Sequence, residues 1–337
     1  MTKVRGGMVT DDDGIIHPLF THNPETLRLA CQHPNIQQLP RGGKDDELGS
    51  IVRNLIVARP GQIFLARDYS GIEAVLVGWM ALSSRYIRLA KIDVHSFYMS
   101  YALNQIDGRI KSADLPLLSW SDEKLIPHLA AIKKEFKEDR NNLYKHIVHG
   151  TNFMMGAKGV QEKILKESGI EPKLQTIKTV QGIYFELFPE VSRWHRDTMN
   201  QAEKDGYLRN PFGYILRFNK IYRYEKVGGK WNKTPGDEAN SCIAFGPQST
   251  AAAIIKESML RLYFDHFDRA GQYMRFQIHD ENFLEVPEES VEQVDVILKE
   301  EMERPIPELP MMKAWNLGKY LSIETERKMG KRMGSMS

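Results

Sequence analysis

The chain has 337 residues, and its 46 lysines and arginines against 44 acidic residues leave a formal net charge of +2. That balance neither demands nor excludes nucleic acid, so any basic surface has to be local, and the length suggests two domains or subdomains around a sizeable core. Cys31 and Cys242 cannot build a disulfide framework or a multi-cysteine zinc site, although one bridge between them stays open. The amino terminus has no apolar signal core and no stretch reaches the 18 or so apolar residues of a membrane span, so the expectation is a cytoplasmic protein with no membrane partner.

In chain order, the turn signal Arg59-Pro60-Gly61 precedes the apolar run QIFLA, which reads as a short buried strand ending at Asp68. Residues 72–89 carry apolar side chains at three and four spacing, as expected of a helix packed on that sheet. From Leu125 the apolar period is again helical, with Lys133, Lys134, Lys137, Arg140 and Lys145 falling among Leu129, Ile132, Phe136, Leu143 and Ile147. Residues 158–168, closed by Gly169, and 189–205, opened by Pro189 and closed by Gly206, predict two more helices. Residues 224–240 are polar and rich in glycine, which marks a mobile loop or an exposed hairpin. Residues 248–270 predict a long helix stopped by Gly271, followed by a strand, a turn at His279 and Asp280, and a second strand. PIPELP near Pro305 and the basic stretch 327–337 are compositionally biased, and the latter is expected to be disordered.

Two acidic clusters stand out: ARDYSGIEAV, with Asp68 and Glu73, and FQIHDENFLEV, with Asp280 and Glu281. Each falls where a strand ends. Aspartates meeting across a sheet edge suit two divalent ions about 3.5–4 Å apart, one activating an attacking oxygen and one steadying the leaving oxygen. Such a pair points to phosphoryl transfer.

These residues also match a known pattern, and the chain resembles the polymerase domain of family A DNA polymerases. DYSGIE (Asp68 to Glu73) is similar to the family's DYSQIE, QIHDE (Gln277 to Glu281) to QVHDE, and RLACQHPNIQQLP (Arg28 to Pro40) to RLSSxxPNLQNIP, with the segment from Arg140 to Gly156 as the fingers motif. The resemblance covers roughly residues 16–315. It implies an α+β fold: a palm with an antiparallel sheet, begun by residues 1–90 and completed by 207–326, with helical fingers at 91–206 inserted. Most or all of the thumb, and the exonuclease domain of longer relatives, have no counterpart in the resemblance.

The implied activity is addition of deoxynucleotides to a primer 3′-hydroxyl by two-metal transfer, with primer-template DNA and deoxynucleoside triphosphates as partners. Asp68 and Asp280 are the implied Mg²⁺ ligands, because that hard cation prefers carboxylate oxygen; Mn²⁺ is the expected substitute. The Tyr69 carbonyl would add a ligand, and Glu281 a supporting catalytic carboxylate. His95, in DVHSF, matches a histidine that approaches the incoming triphosphate, and Lys145 matches the fingers lysine. Arg140 lies five residues before that lysine where the family places its arginine four before, and one residue rotates an α-helix by about 100°. Arg28, Asn35, Gln37, Gln248, Gln277 and His279 match positions that track primer or template, contacts that place a duplex without choosing a sequence.

The departures cluster around nucleotide selection. His149 stands where relatives carry an aromatic ring beside the sugar and base, and Phe153 where they carry a tyrosine that hydrogen-bonds the motif glutamate, here Glu73. Loss of that hydroxyl predicts weaker exclusion of ribonucleotides. Gly71, Val75 and Met154 also differ from the family pattern. The alternatives are a single-subunit RNA polymerase-like nucleotidyltransferase, a non-catalytic subunit that binds primed DNA, and one piece of a split polymerase completed by a separate thumb or exonuclease subunit. The cell would be bacterial or phage-infected.

Overall fold

The computed structural model describes residues 12–22, 24–40, 47–107 and 119–336. They form two compact units, one from Met1–Ile72 with Gln248–Ser337 and one from Glu73–Pro247.

The first unit is built on a four-stranded antiparallel sheet in the order Thr325–Gly330, Gln62–Tyr69, Glu281–Pro287, Met274–Ile278. The strand Gln62–Tyr69 is central, and its side chains alternate between two covered faces. Leu65, Arg67 and Tyr69 face the helix Val291–Met302, where Arg67 makes a two-pronged pair with Asp295 at 2.7 and 2.8 Å and the Tyr69 hydroxyl donates to the Met302 carbonyl at 2.7 Å. Phe64 and Ala66 face the other way, into a cluster with Ile36, Leu39, Ile278, Phe283 and Met333. The expected strand-turn-strand is present, with His279 in the left-handed region at φ 52° and Asp280 linking Met274–Ile278 to Glu281–Pro287.

Of residues 327–337, expected to be disordered, 327–336 depart from that expectation, and 337 lies outside the described residues. Thr325–Gly330 is an edge strand paired with Gln62–Tyr69 from Thr325 opposite Tyr69 to Gly330 opposite Phe64, and the 3-10 turn Met333–Ser335 buries Met333. The run TERKMG has no apolar alternation because main-chain hydrogen bonds hold it. Charged side chains are also what an edge strand tolerates.

The second unit is mainly helical. Tyr86, Phe97, Tyr98, Tyr184 and Phe188 are fully buried in one core shared by the helices Ser84–Ile92, Val94–Asp107, Leu174–Leu187 and Pro189–Asp205. Gly169 and Gly206 end their helices in the left-handed conformation, at φ 72° and 73°, as their positions predict. The helix expected over 72–89 is two helices, Ile72–Met80 and Ser84–Ile92, because Ser83 caps the second by accepting from the Tyr86 amide. The long helix begins earlier than expected, at Ala239, and runs to Asp265.

Of residues 224–240, 224–235 belong to an ordered hairpin, Tyr222–Val227 with Lys230–Pro235, turned by Gly228 and Gly229 at positive φ, and 239–240 open the long helix. Phe218 and Ile221 pack with Met199, Ala202, Ile243 and Phe245, which joins residues 207–235 to the helical unit. Val77 and Leu89 join 73–90 to it as well. The helical unit therefore spans 73–247, wider than the expected 91–206.

Candidate active site

In the sheet unit, Asp68 sits one residue before the end of its strand, directly opposite Glu281 on one side and Glu326 on the other. Opposite positions in an antiparallel pair share a face, so these carboxylates form a row. Lys328, two residues beyond Glu326, reaches into the row: its ammonium donates to Asp68 Oδ2 at 3.0 Å and to Glu281 Oε1 at 3.1 Å. Burial pushes the Glu281 carboxyl up, and Asp68 adds to that while Lys328 opposes it. For Lys328, burial works against the charged form, but Glu281 and Asp68 outweigh it and hold the ammonium pKa above its ordinary value.

Asp280 is tied to the same strand end, since the Tyr69 amide donates to the Asp280 carbonyl at 3.1 Å. Its carboxylate lies 3.8 Å from an Arg28 guanidinium nitrogen. Gln37 donates to the Gln277 carbonyl at 3.1 Å and to its side-chain oxygen at 3.4 Å, and Asn35 caps the turn Ile36–Gln38 by accepting from the Gln37 amide. The structure thus gathers Arg28, Asn35, Gln37, Gln277 and Asp280 in one unit around the hairpin that carries His279. Gln248, half-buried on the helix Ala239–Asp265, is the first residue of that helix to belong to the same unit.

Asp68, Asp280 and the Tyr69 carbonyl are hard oxygen donors, and a cation already lies against Asp68, so this end fits a divalent ion. Among the described residues, no group of three or more histidine, cysteine or acidic side chains surrounds one point. The rest of an ion's shell would come from substrate oxygens and water, as is usual for Mg²⁺.

In the helical unit, residues Arg140–Tyr144 form a π-helical turn, and the Lys145 amide donates to the Arg140 carbonyl. A π turn absorbs one extra residue, so Arg140 and Lys145 lie one turn apart despite their five-residue spacing. The rotation expected from α-helical geometry does not occur. Arg140, however, has protein partners on all three guanidinium nitrogens: Nη2 bonds both oxygens of Asp93 at 2.9 Å, Nε bonds Ser96 Oγ at 2.8 Å and Nη1 bonds Asn141 at 3.0 Å. In the structure it braces Asp93 and Ser96. Burial would raise the Asp93 carboxyl, but Arg140 and Ser96 outweigh it and hold it down.

His95 follows Asp93 and is pushed down to about 3, chiefly by burial, with Asp93 opposing and the charges of Arg140 and Lys145 adding to the shift. Its Nδ1 is buried with no hydrogen-bond partner among the described residues. Lys145 is exposed. One turn on, His149 Nδ1 lies 3.7 Å from Glu73 Oε2 and its ring meets Phe153 edge to face at 4.9 Å. Burial and the Lys163 charge push His149 down to about 4 against the pull of Glu73, so it is neutral at pH 7.

Asp93, Ser96 and Lys328 were missed from sequence. Asp93 and Ser96 had a readable signal, since an aspartate three residues before a serine at a helix start is a capping spacing, realised here at 3.0 Å to the Ser96 amide.

The family model for DNA polymerase family A matches residues 128–323. The chain belongs to DNA polymerase family A. Among family A relatives, thermostable DNA polymerase I of Thermus caldophilus is 27% identical over 322 residues, covering 91% of this chain and 33% of its own length. DNA polymerase I of Caldicellulosiruptor bescii is 25% identical over 303 residues, covering 88% and 31%. A solved structure described as the POL domain of Pol1 from M. smegmatis, in complex with DNA primer-template and dNTP, matches 96% of this chain and 49% of that one, at a TM-score of 0.69 and 22% identity. The chain spans about a third of the length of the curated family A relatives it matches. Among the described residues, no helix is long and apolar enough to cross a membrane.

Proposed function

We propose that this chain is a template-directed DNA polymerase that adds deoxynucleotides to a primer 3′-hydroxyl. The observation that carries the reading is the tie between two acidic motifs far apart in sequence, where the Tyr69 amide bonds the Asp280 carbonyl and brings the Asp68 strand end beside the Asp280 turn. Asp68, Asp280 and the Tyr69 carbonyl would hold the divalent ions, Mg²⁺ or Mn²⁺ in its place. Once bound, such ions lower the pKa of the attacking hydroxyl and stabilise the charge that builds on the leaving phosphate.

The chain's own residues do the rest. Lys145, exposed, neutralises the triphosphate, and neutral His95 approaches the same group. Arg140 holds Asp93 and Ser96, and through them the helix start that carries His95. His149 and Phe153 form the wall beside the base and sugar, with Glu73 against the sugar edge. Glu281 supports the Asp68 end, while Arg28, Asn35, Gln37, Gln248, Gln277 and His279 bear on primer and template, positioning without sequence readout.

Primer extension with a primed template, Mg²⁺ and either deoxy- or ribonucleotides tests this. The wild type extends with deoxynucleotides, while Asp68→Ala and Asp280→Ala do not. No extension by the wild type would favour a subunit that binds primed DNA. Extension confined to ribonucleotides would favour the RNA polymerase-like reading.

A further inference from the structure

Lys328 comes from a strand with no acidic motif of its own, yet it touches the carboxylate on which the proposed chemistry depends. Its backbone is fixed by the ladder with Gln62–Tyr69, where it lies opposite Ala66, so its side chain shares a face with Asp68 and Glu326. Glu281, across the sheet on the other side of Asp68, completes the enclosure. The side chain is about one third exposed, and its one ammonium serves both Asp68 at 3.0 Å and Glu281 at 3.1 Å. An oxygen that accepts from this ammonium has a lone pair turned away from any metal ion.

We propose that Lys328 is a built-in competitor of the divalent cation: it neutralises Asp68 and Glu281 and occupies Asp68 Oδ2, which it has to release before that oxygen can ligate. The residue thereby sets the metal concentration at which the site fills. An ammonium suits the task, because a flexible stem with three donors can swing onto Glu281 alone when Asp68 turns away. Glu281 is then the parking place for the charge, which explains a second carboxylate beside Asp68 that need not bind metal. This inference rests on the reading of Asp68 as a metal ligand.

The test is Mn²⁺ binding by the full chain without DNA or nucleotide, read from loss of the free-ion paramagnetic resonance signal. Lys328→Met keeps the length of the side chain and removes the charge, and is expected to bind Mn²⁺ about tenfold more tightly or better, since no ammonium then competes for Asp68. Lys328→Arg keeps the charge on a fork that grips carboxylates with two bonds, and is expected to bind no more tightly than the wild type. In primer extension, Lys328→Met lowers the half-saturating Mg²⁺ concentration. Equal or weaker Mn²⁺ binding by Lys328→Met overturns the proposal. Thermal melting checks the fold, and if Lys328→Met is not folded, Lys328→Gln replaces it under the same criterion. Asp68→Ala separates the two readings: if it binds Mn²⁺ as the wild type does, the metal assignment itself fails, whereas loss of binding there with no gain in Lys328→Met sinks only the role of Lys328.

Discussion

The amide of Lys145 hydrogen-bonds the carbonyl of Arg140, five residues back, so a π turn sets Lys145 one turn beyond Arg140. The extra residue is accommodated in the turn, and both cationic side chains keep a common face. Deleting Asn141 restores four-residue α-helical spacing and is expected to leave the deoxynucleotide KM within about threefold, while inserting one alanine there turns Arg140 by about 100° and raises KM sharply. Steady-state extension kinetics on both variants measure this.

The pair between Arg140 and Asp93 is largely buried, with side chains 12% and 13% exposed. Arg140→Ala leaves a carboxylate with no counter-charge, and a cost of about 3–5 kcal/mol is expected. Arg140→Lys keeps the charge but loses the two-pronged grip, so its midpoint in urea falls between those of the wild type and Arg140→Ala. A rise in KM for nucleotide in Arg140→Lys, with kcat unchanged, would mark the displaced His95.

Glu73 faces the imidazole of His149 where the family has a tyrosine hydroxyl from the position of Phe153. A contact at 3.7 Å is too long for a hydrogen bond. Phe153→Tyr supplies a donor to the carboxylate, and an improvement of about tenfold in discrimination against ribonucleotides is expected, the equivalent of one charged hydrogen bond of about 1.5 kcal/mol. Single-nucleotide incorporation of matched deoxy- and ribonucleotides reads the ratio, and an unchanged ratio would remove Glu73 from the sugar gate.

His195 is 5% exposed and bonds the Asn152 carbonyl at 2.8 Å. Burial pushes it down to about 4 from an ordinary value of 6.5, against the pull of that hydrogen bond. The unfolded chain therefore binds a proton that the folded chain refuses. The stability this neutral histidine contributes is complete above pH 6.5 and is lost as pH falls toward 4, an effect on the order of 2 kcal/mol. Urea unfolding between pH 7 and 4.5 should show a decline to which His95 and His149 add, and His195→Gln, which keeps a donor and does not titrate, should make it shallower by its own share.

Much of the Asp68 and Asp280 end was legible because its signals are local: a turn, an apolar run and a carboxylate place Asp68, and a strand, two turn residues and a second strand place Asp280. The helix stops at Gly169 and Gly206 were legible for the same reason, each needing only one residue's backbone preference. Lys328 was not, since an edge strand held by main-chain bonds carries no period of two in its side chains. The π turn escaped as well, because the spacing from Arg140 to Lys145 was read with α-helical geometry. The brace on Arg140 depends on Asp93, 47 residues away in the chain, and no local pattern announces such a partner.

The central strand of the sheet has its neighbours far downstream: Asp68 meets Lys328 at a separation of 260 residues and Arg67 meets Asp295 at 228. During synthesis this strand leaves the ribosome with nothing to pair with, and the helical unit is translated before either flank arrives. Long-range pairing of this kind is slow, because loop closure costs entropy before any contact repays it. The nascent chain consequently carries an apolar, uncovered strand until residues 281–330 have been made.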